Sequence, residues 1–529
     1  MLATVLSGGL IGVEGFLVEV QVDISSGLPA IDLAGLPDSA VKESRERVRS
    51  AIKNSGFSFP AKRILINLAP ADTRKMGPSY DLPIALGILC CTEEVVVPAA
   101  ALKDTLFLGE LSLDGSVRRV NGVLPIVHSA YHQGIRRFFV PEENQEEAAL
   151  VEGAEVYGVG TVCQLLDHLE GRQILSPCQS HWQEQTEQTV TGGPDFADVK
   201  GQEGVKRAML IAAAGRHNLL MTGPPGSGKT MMARCLPTIL PDLTFPECVE
   251  LTKIYSVSGL LSKNNTLVRQ RPFRSPHHTV SAVALTGGGH MLKPGEISLA
   301  HKGALFLDEL PEFSRQALEI LRQPLEERRV TISRASGTVT YPADFMLVAA
   351  MNPCPCGYLG EERCHCTQSE IARYRGKISG PLLDRIDMQV EAAAIRYEDF
   401  KAKPTASSDE MKAEVIRVQK IQQQRYQKED IQFNSELTAP LIERYCPLGP
   451  KEEALLHQAF EKLHLSARGY HKILKVARTV ADLAGEERIQ AHHLAEVIQY
   501  RSLDATFNLC FHLTICFSTL HRKNQPVCT

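Results

Sequence analysis

The stretch Gly223-Pro224-Pro225-Gly226-Ser227-Gly228-Lys229-Thr230 carries the pattern Gly-x-x-x-x-Gly-Lys-Ser/Thr, whose residue types suit a chain of phosphates. Glycines let a backbone wrap an anion without Cβ clashes. The N–H groups of such a loop, and of the helix it opens, point at the anion. Lys229 adds positive charge for the β- and γ-phosphates, and the Thr230 hydroxyl can ligate Mg²⁺. The flanks agree. Asn218-Leu219-Leu220-Met221-Thr222 reads as a buried strand, and Met231 to Leu236 as the first turns of a helix.

Further along, the apolar run Ala304-Leu305-Phe306-Leu307 ends in Asp308-Glu309. This Walker B pattern would hold Mg²⁺ on Asp308 and polarise an attacking water with Glu309. Phe345 to Met351 is another apolar strand, and it ends in the amide of Asn352. Directly after it come Cys354-x-Cys356 and Cys364-x-Cys366, with His365 inside the second pair. Four thiolates in so short a span suit a small zinc loop. The spacing is tighter than the usual C-x₂₋₄-C, so reduced structural thiols and a redox switch stay open beside zinc.

Positioning these residues requires a chain of some size. The 529 residues predict two to four domains, and 43% hydrophobic content supports sizeable cores. Lys+Arg at 57 against Asp+Glu at 61 gives a net charge of −4. The whole chain is therefore not a basic nucleic-acid binder, although a basic surface confined to a pore is compatible with that balance. The start, Met1-Leu2-Ala3-Thr4-Val5, has no basic n-region or long apolar h-region. No apolar stretch reaches bilayer length, so no membrane association is expected. Scattered cysteines beyond the one cluster predict a reducing cytoplasm.

Residues 1–170 read as one α/β module. Val18, Val20, Val22 and Ile24 alternate with Glu19, Gln21 and Asp23, which predicts a half-buried strand. Ala40 to Arg49 reads as a charged helix and Asp81 to Leu89 as a buried one. Arg63 to Leu68, Phe107 to Leu111 and Arg137 to Pro141 read as strands. Gly77-Pro78-Ser79, Leu108 to Gly115, and Gly134-Ile135 with Val140-Pro141 resemble the C-terminal domain of Lon-type proteases, a ribosomal-S5-like fold. In that family a serine at the position of Ser79 pairs with a lysine, which here falls at Leu124. A serine without a base is a poor nucleophile, so a structural or capping Ser79 and a non-proteolytic module are expected. Lys42, Arg45 and Arg49 share one helix face. That face is either a solvated charge run or a contact for nucleic acid. Residues 171–195, rich in Gln, Glu, Ser and Thr, predict a linker.

Residues 196–395 read as an ATPase core and 396–504 as helices. Asp198-Val199-Lys200-Gly201-Gln202, Arg274-Ser275-Pro276-His277-His278-Thr279, Gly287-Gly288-Gly289, Lys293 to His301, Leu310-Pro311-Glu312-Phe313 and Met351-Asn352-Pro353-Cys354 stand in order around the motifs above. With them the chain resembles the Mg-chelatase-like AAA+ ATPases of the ComM/YifB type from residue 1 to about 504. The resemblance implies a P-loop AAA+ core with a helical lid, preceded by the Lon-like α+β domain. It implies that the segment around Gly201 borders adenine and that Asn352 is the sensor 1 residue beside the γ-phosphate. A turn-starting Asn is the other reading of that residue. It also implies that Arg385, in Leu383-Asp384-Arg385-Ile386-Asp387, is an arginine finger, against a surface salt bridge. Arg468, or else Arg478, would be sensor 2. His277 and His278 would brace the insert or bind phosphate or metal, and the glycine run would move near a pore.

The function implied is an ATP- and Mg²⁺-dependent motor on DNA, a homohexameric helicase promoting branch migration during natural transformation. The rivals are a metal-chelatase-type motor subunit and a protein-remodelling AAA+ chaperone. Residues 505–529 are an apolar, cysteine-bearing extension with no functional reading.

Overall fold

The computed structural model describes the chain except for residues 1, 93, 180–192, 263–265, 290–291, 335–336, 396, 402–405, 464 and 502–529. The middle of the expected linker and the C-terminal extension therefore lie outside the described residues.

The N-terminal part is built on one mixed sheet. Its strands are β1 (Leu2–Ile11), β2 (Glu14–Ser25), β3 (Ala30–Ala34), β4 (Arg63–Ala69), β5 (Thr105–Phe107), β6 (Arg137–Pro141) and β7 (Glu155–Val159), in the order β3-β4-β2-β1-β5-β6-β7. In β2, Val18, Val20 and Val22 are buried while Glu19 is exposed, as a period of two demands. Helix α1 (Ser39–Asn54) starts where the Asp38 carboxylate accepts from the Val41 N–H at 2.8 Å. It buries Val41, Val48 and Ile52 and leaves Lys42, Arg45 and Arg49 exposed. Helix α2 (Asp81–Cys90) is buried from Asp81 to Leu89. The Arg47 fork holds Asp81 at 2.7 and 3.0 Å, so the buried carboxylate has a partner. Helix α3 (Val123–His132) buries Leu124 completely.

Phe107 to Leu111 is not one strand. β5 stops at Phe107, and Glu110–Leu111 pairs instead with Val117–Arg118. Between them, the Gly109 N–H donates to Ser79 O, and a Cβ at Gly109 would stand 2.6 Å from Val117 Cγ1. The close backbone approach breaks the ladder.

The second sheet is all parallel. Helices α4 (Glu203–Gly215), α5 (Lys229–Ile239) and α6 (Phe245–Ser258) accompany strands β8 (Leu219–Thr222), β9 (Phe273–Arg274), β10 (Ala304–Leu307), β11 (Met346–Met351) and β12 (Met388–Glu391). The strand order is β9-β10-β11-β8-β12. Both faces are covered, which is why these strands read as unbroken apolar runs. Leu219, Met221, Phe306 and Val348 pack into one core, and Leu220, Leu305, Leu307 and Leu347 into the other. Asn218 ties three strands at their entry. Its side-chain oxygen accepts from Leu347 N–H, its amide donates to Arg385 O, and its main-chain N–H donates to Asp387.

The C-terminal part is helical, with α7 (Ser408–Arg425), α8 (Ala467–Ala484) and α9 (Ala491–Gln499) as its main elements. Gln419 and Gln422 of α7 donate to the carbonyls of Ala213 and Ala214 at the end of α4, each at 3.0 Å. These bonds satisfy helix-terminal carbonyls that would otherwise be buried alone. Among the described residues, no helix is long and apolar enough to cross a membrane.

Candidate functional site

Strands β8, β10 and β11 are adjacent and parallel, so their carboxyl ends open on one crevice. The chain leaves β8 as Gly223–Gly228 and enters α5 at Lys229. Gly226 and Gly228 have φ of 79° and 82°, and no atom lies within 4 Å of where their Cβ atoms would be. The loop is thus left-handed at two points and open on that side, a cradle that suits an anion. Lys229, only 8% exposed, places Nζ 2.7 Å from Gly223 O and 2.9 Å from Pro224 O. Burial lowers the pKa of its ammonium group, opposed by the charge of Asp308. Ser227 Oγ donates to Pro224 O at 2.9 Å and fixes the turn. Gln202 donates to Ser227 O and Ala393 O, tying the segment before α4 to the same loop.

The other strand ends meet this loop. Thr230 Oγ1 donates to Asp308 Oδ2 at 2.7 Å, so the two oxygens suited to Mg²⁺ stand side by side. Asn352, just past β11, has Oδ1 3.4 Å from Lys229 Nζ. Glu309 adopts a left-handed backbone, φ 52° and ψ 47°, a conformation that a non-glycine residue holds only under local constraint. The turn lifts its carboxylate to half exposure, 53%, and His278 Nδ1 lies 3.1 Å from Glu309 Oε2. His278 packs against His277 with ring centroids 4.1 Å apart and the planes tilted by 34°, and His277 Nδ1 is 2.9 Å from Thr279 Oγ1. Neither histidine belongs to a cluster of three or more metal-type ligands among the described residues. The pairing of His278 with the Walker B glutamate was not legible from spacing.

Arg274 makes a two-pronged bond to Glu296, both contacts 2.7 Å, across the segment that carries the glycine run. Gly287 is packed tightly there, with its Cβ position 2.3 Å from Lys293 O. Its glycine answers a close backbone approach rather than an open loop.

The two arginines expected from resemblance lie together, away from the phosphate loop. They line a cavity of about 540 Å³ that includes Glu326, Lys472 and Lys475 but none of residues 223–230. Arg385 is 9% exposed. Its guanidinium donates to Arg322 O and Pro381 O and lies 2.6 Å from Glu326. Arg468 is more than half exposed and touches the same Glu326 oxygen at 3.4 Å. The resemblance implies an arginine finger at Arg385, against a surface salt bridge; within this chain its carboxylate partner is Glu326. Glu326 had no sequence signal, because it sits in a run of ordinary charges. Arg478 is 1% exposed, and its donors go to Asp482, Glu486 O and Glu487 O. It pins the end of α8 and has no surface to offer a nucleotide.

The cysteines also converge. The four sulfurs of Cys354, Cys356, Cys364 and Cys366 lie within 4.8 Å of one another, an arrangement that could hold a metal ion. The Tyr358 main chain beside it holds the Cys356 thiol below its ordinary range. In the N-terminal part, Ser79 occupies a one-turn helix leading into α2, and Leu124 lies in the core with no titratable group to offer.

Comparison with known sequences agrees with this geometry. Residues 195–400 match the family model of magnesium chelatase subunit ChlI, residues 20–144 a second ChlI model, and residues 405–501 the ChlI C-terminal model. The chain is 43% identical to competence protein ComM of Haemophilus influenzae over 507 residues, covering 95% of this chain and 98% of ComM. It is 41% identical to YifB of Escherichia coli over 523 residues, covering 97% and 99%. The magnesium-chelatase 38 kDa subunit of Cereibacter sphaeroides is more distant, 24% identical over 323 residues, 57% of this chain and 89% of that one. Near-full-length identity at this level, with Lys229, Thr230, Asp308 and Asn352 gathered in one crevice, makes the chain a member of the Mg-chelatase-like family of the ComM and YifB type.

Proposed function

We propose that the chain is an ATP-hydrolysing AAA+ motor of the cytoplasm that acts on DNA, a hexameric helicase promoting branch migration during natural transformation. Residues 1–170 would be its Lon-like, non-proteolytic module, 196–395 its core and 396–504 its lid. One observation carries the reading: three neighbouring parallel strands end in a phosphate cradle, an acid that pairs with Thr230 and an amide that reaches Lys229. ATP is the substrate. Lys229 and the loop N–H groups would bind its phosphates, and Asn352 would fix the lysine and orient water. Glu309 would take the proton of that water. Thr230 and Asp308 would hold Mg²⁺, which when bound neutralises phosphate charge. For the thiol cluster the ion in this reading is zinc.

Arg385 and Arg468 stand on another face of the same chain. A head-to-tail ring would present them to the next subunit's ATP. There Arg385 would exchange the Glu326 carboxylate for the γ-phosphate. The exposed Lys42, Arg45 and Arg49 are a candidate DNA contact outside the ring pore, and phosphate contacts would make DNA binding salt-sensitive.

The decisive assay is ATP-driven branch migration on a four-way DNA junction, beside ATPase with and without DNA. Wild type is expected to show both, and DNA to stimulate turnover. Lys229→Ala is expected to lose nucleotide binding. Glu309→Gln is expected to keep binding and lose turnover by about 10²–10⁴-fold. ATPase indifferent to DNA would count against the motor on DNA. The likeness to the magnesium-chelatase 38 kDa subunit keeps metal insertion as a second reading. ATP-dependent metallation of a porphyrin with partner subunits would favour it.

A further inference from the structure

The loop from Asn352 to Thr367 joins β11 to a short helix, Gln368–Arg375, and has almost no apolar interior of its own. Cys354 is fully buried, yet Leu359 is 36% exposed. Something other than hydrophobic packing must fix it. Its four sulfurs supply the means. Cys354 Sγ is 3.3 Å from Cys356 Sγ and 3.9 Å from Cys364 Sγ, and the Cys356 and Cys364 sulfurs are 3.7 Å apart. A tetrahedral zinc with bonds of about 2.3 Å needs sulfur–sulfur edges of roughly 3.8 Å. Four thiolates this close would repel one another without a cation.

The same loop leans on the phosphate cradle. Gly357, with φ 87°, packs so that a Cβ would stand 2.6 Å from Pro225 Cδ and 2.8 Å from Pro225 Cγ. Its N–H donates to Cys354 O, closing the turn between the first two cysteines. Arg375 returns from the helix to donate twice to Pro353 O, at 3.2 and 3.1 Å. The knuckle is therefore anchored at both ends and presses on residue 225 from the side of Asn352.

We propose that Cys354, Cys356, Cys364 and Cys366 hold one structural zinc ion, and that this site clamps the Gly357 turn against Pro225 and so sets the nucleotide affinity of the loop. The clamp rests on reading residues 223–230 as the nucleotide site; the metal site does not. The alternative ion for four thiolates is iron. Loss of the metal frees the turn, and each nucleotide bound must then order it again. Ordering one residue corresponds to about a tenfold loss of affinity.

The test uses the full chain, purified without chelator. Metal analysis by plasma mass spectrometry is expected to find one zinc per chain. Cobalt(II) exchanged into the site is expected to give the visible absorption of a tetrahedral tetrathiolate. Binding of fluorescently labelled ADP with Mg²⁺ is then measured on loaded protein, on protein stripped with a zinc-selective chelator, and after zinc is restored. Kd should rise about tenfold on stripping and return on reloading. Cys364→Ser with Cys366→Ser should reproduce the stripped protein, while Lys229→Ala should lose ADP and keep zinc. Less than about half an equivalent of zinc, or iron in its place, overturns the metal site. Zinc present but with equal Kd in loaded and stripped protein overturns the clamp alone. A zinc-loaded wild type that binds no ADP overturns the nucleotide-site reading, and the clamp with it.

Discussion

At the carboxyl ends of β8, β10 and β11, the phosphate loop and its partners touch one another directly: Lys229 with Asn352, Thr230 with Asp308, Glu309 with His278. Around Arg385 and Arg468, two cations share one carboxylate, Glu326, and neither meets a group with chemistry to perform. The first region is complete within one chain. The second holds its charges in reserve against an acid that another anion could replace. A guanidinium released from Glu326 keeps its bonds to main-chain oxygens, which aim it. In the proposed ring, the first region would bind the nucleotide and the second would serve the next chain's site.

The sharpest way to break that contrast is to divide the two regions between subunits. Arg385→Ala is expected to lower turnover by about 10³-fold or more, as losing a transition-state arginine does, with labelled-ADP affinity unchanged. Lys229→Ala is expected to be inactive through lost binding. Mixed together, the two inactive proteins should regain ATPase, because a mixed ring contains junctions with an intact Lys229 facing an intact Arg385. A mixture that stays inactive would mean that Arg385 serves its own chain.

The next test lies within the first region. His278 fixes the Glu309 carboxylate at the end of a left-handed turn. His278→Ala should lower kcat about tenfold while leaving the Kd for labelled ADP within twofold, since the misplaced group acts only on the water. His278→Asn, which can still donate to the carboxylate, should recover part of it. Loss of binding instead would make His278 part of the phosphate cradle.

In the second region the expected effect is smaller. Glu326→Gln removes the charge that restrains both arginines. A partly exposed ion pair is worth about 1 kcal/mol, so kcat should rise by up to about fivefold. A fall in kcat would show that Glu326 aims Arg385 rather than withholding it.

The two regions also differ in how far the sequence revealed them. The phosphate loop, Asp308, Glu309 and Asn352 each follow an apolar strand, and strand-then-polar is a local pattern. Glu326, His278 and Asn218 act through partners far away in the chain, and no periodicity marks them. Arg468 was the preferred sensor 2 residue and Arg478 its alternative on the same helix; only the face of α8 turned toward Asp482 decides that Arg478 is buried. Leu2–Ile11 was not read as a strand, yet it pairs with β2 along its whole length. Its Ser7-Gly8-Gly9 centre hid the pattern. Gly8 and Gly9 are needed because Ile126 and Phe16 fill the space a Cβ would take.

Acid should loosen the arginine side through one buried group. His217 is fully buried, with Nε2 2.7 Å from Thr479 Oγ1 in α8. Burial pulls its pKa down to about 4, more than the nearby Asp387 carboxylate can offset, and Lys475 and Lys472 push the same way. The folded chain therefore resists a proton that the unfolded chain accepts near pH 6.5. Stability from this group is complete above that value and declines as pH falls toward 4, by about 2 kcal/mol at pH 5. His128, also near 4, adds a similar slope in the N-terminal part. His217→Gln can still bond Thr479 but cannot titrate. Urea unfolding at pH 5 and pH 7.5 should show a smaller acid loss in His217→Gln than in wild type, with the His128 contribution common to both. Equal losses in the two proteins would show that water reaches His217 and that the seat of Asn218, Asp387 and Arg385 is wetter than its packing implies.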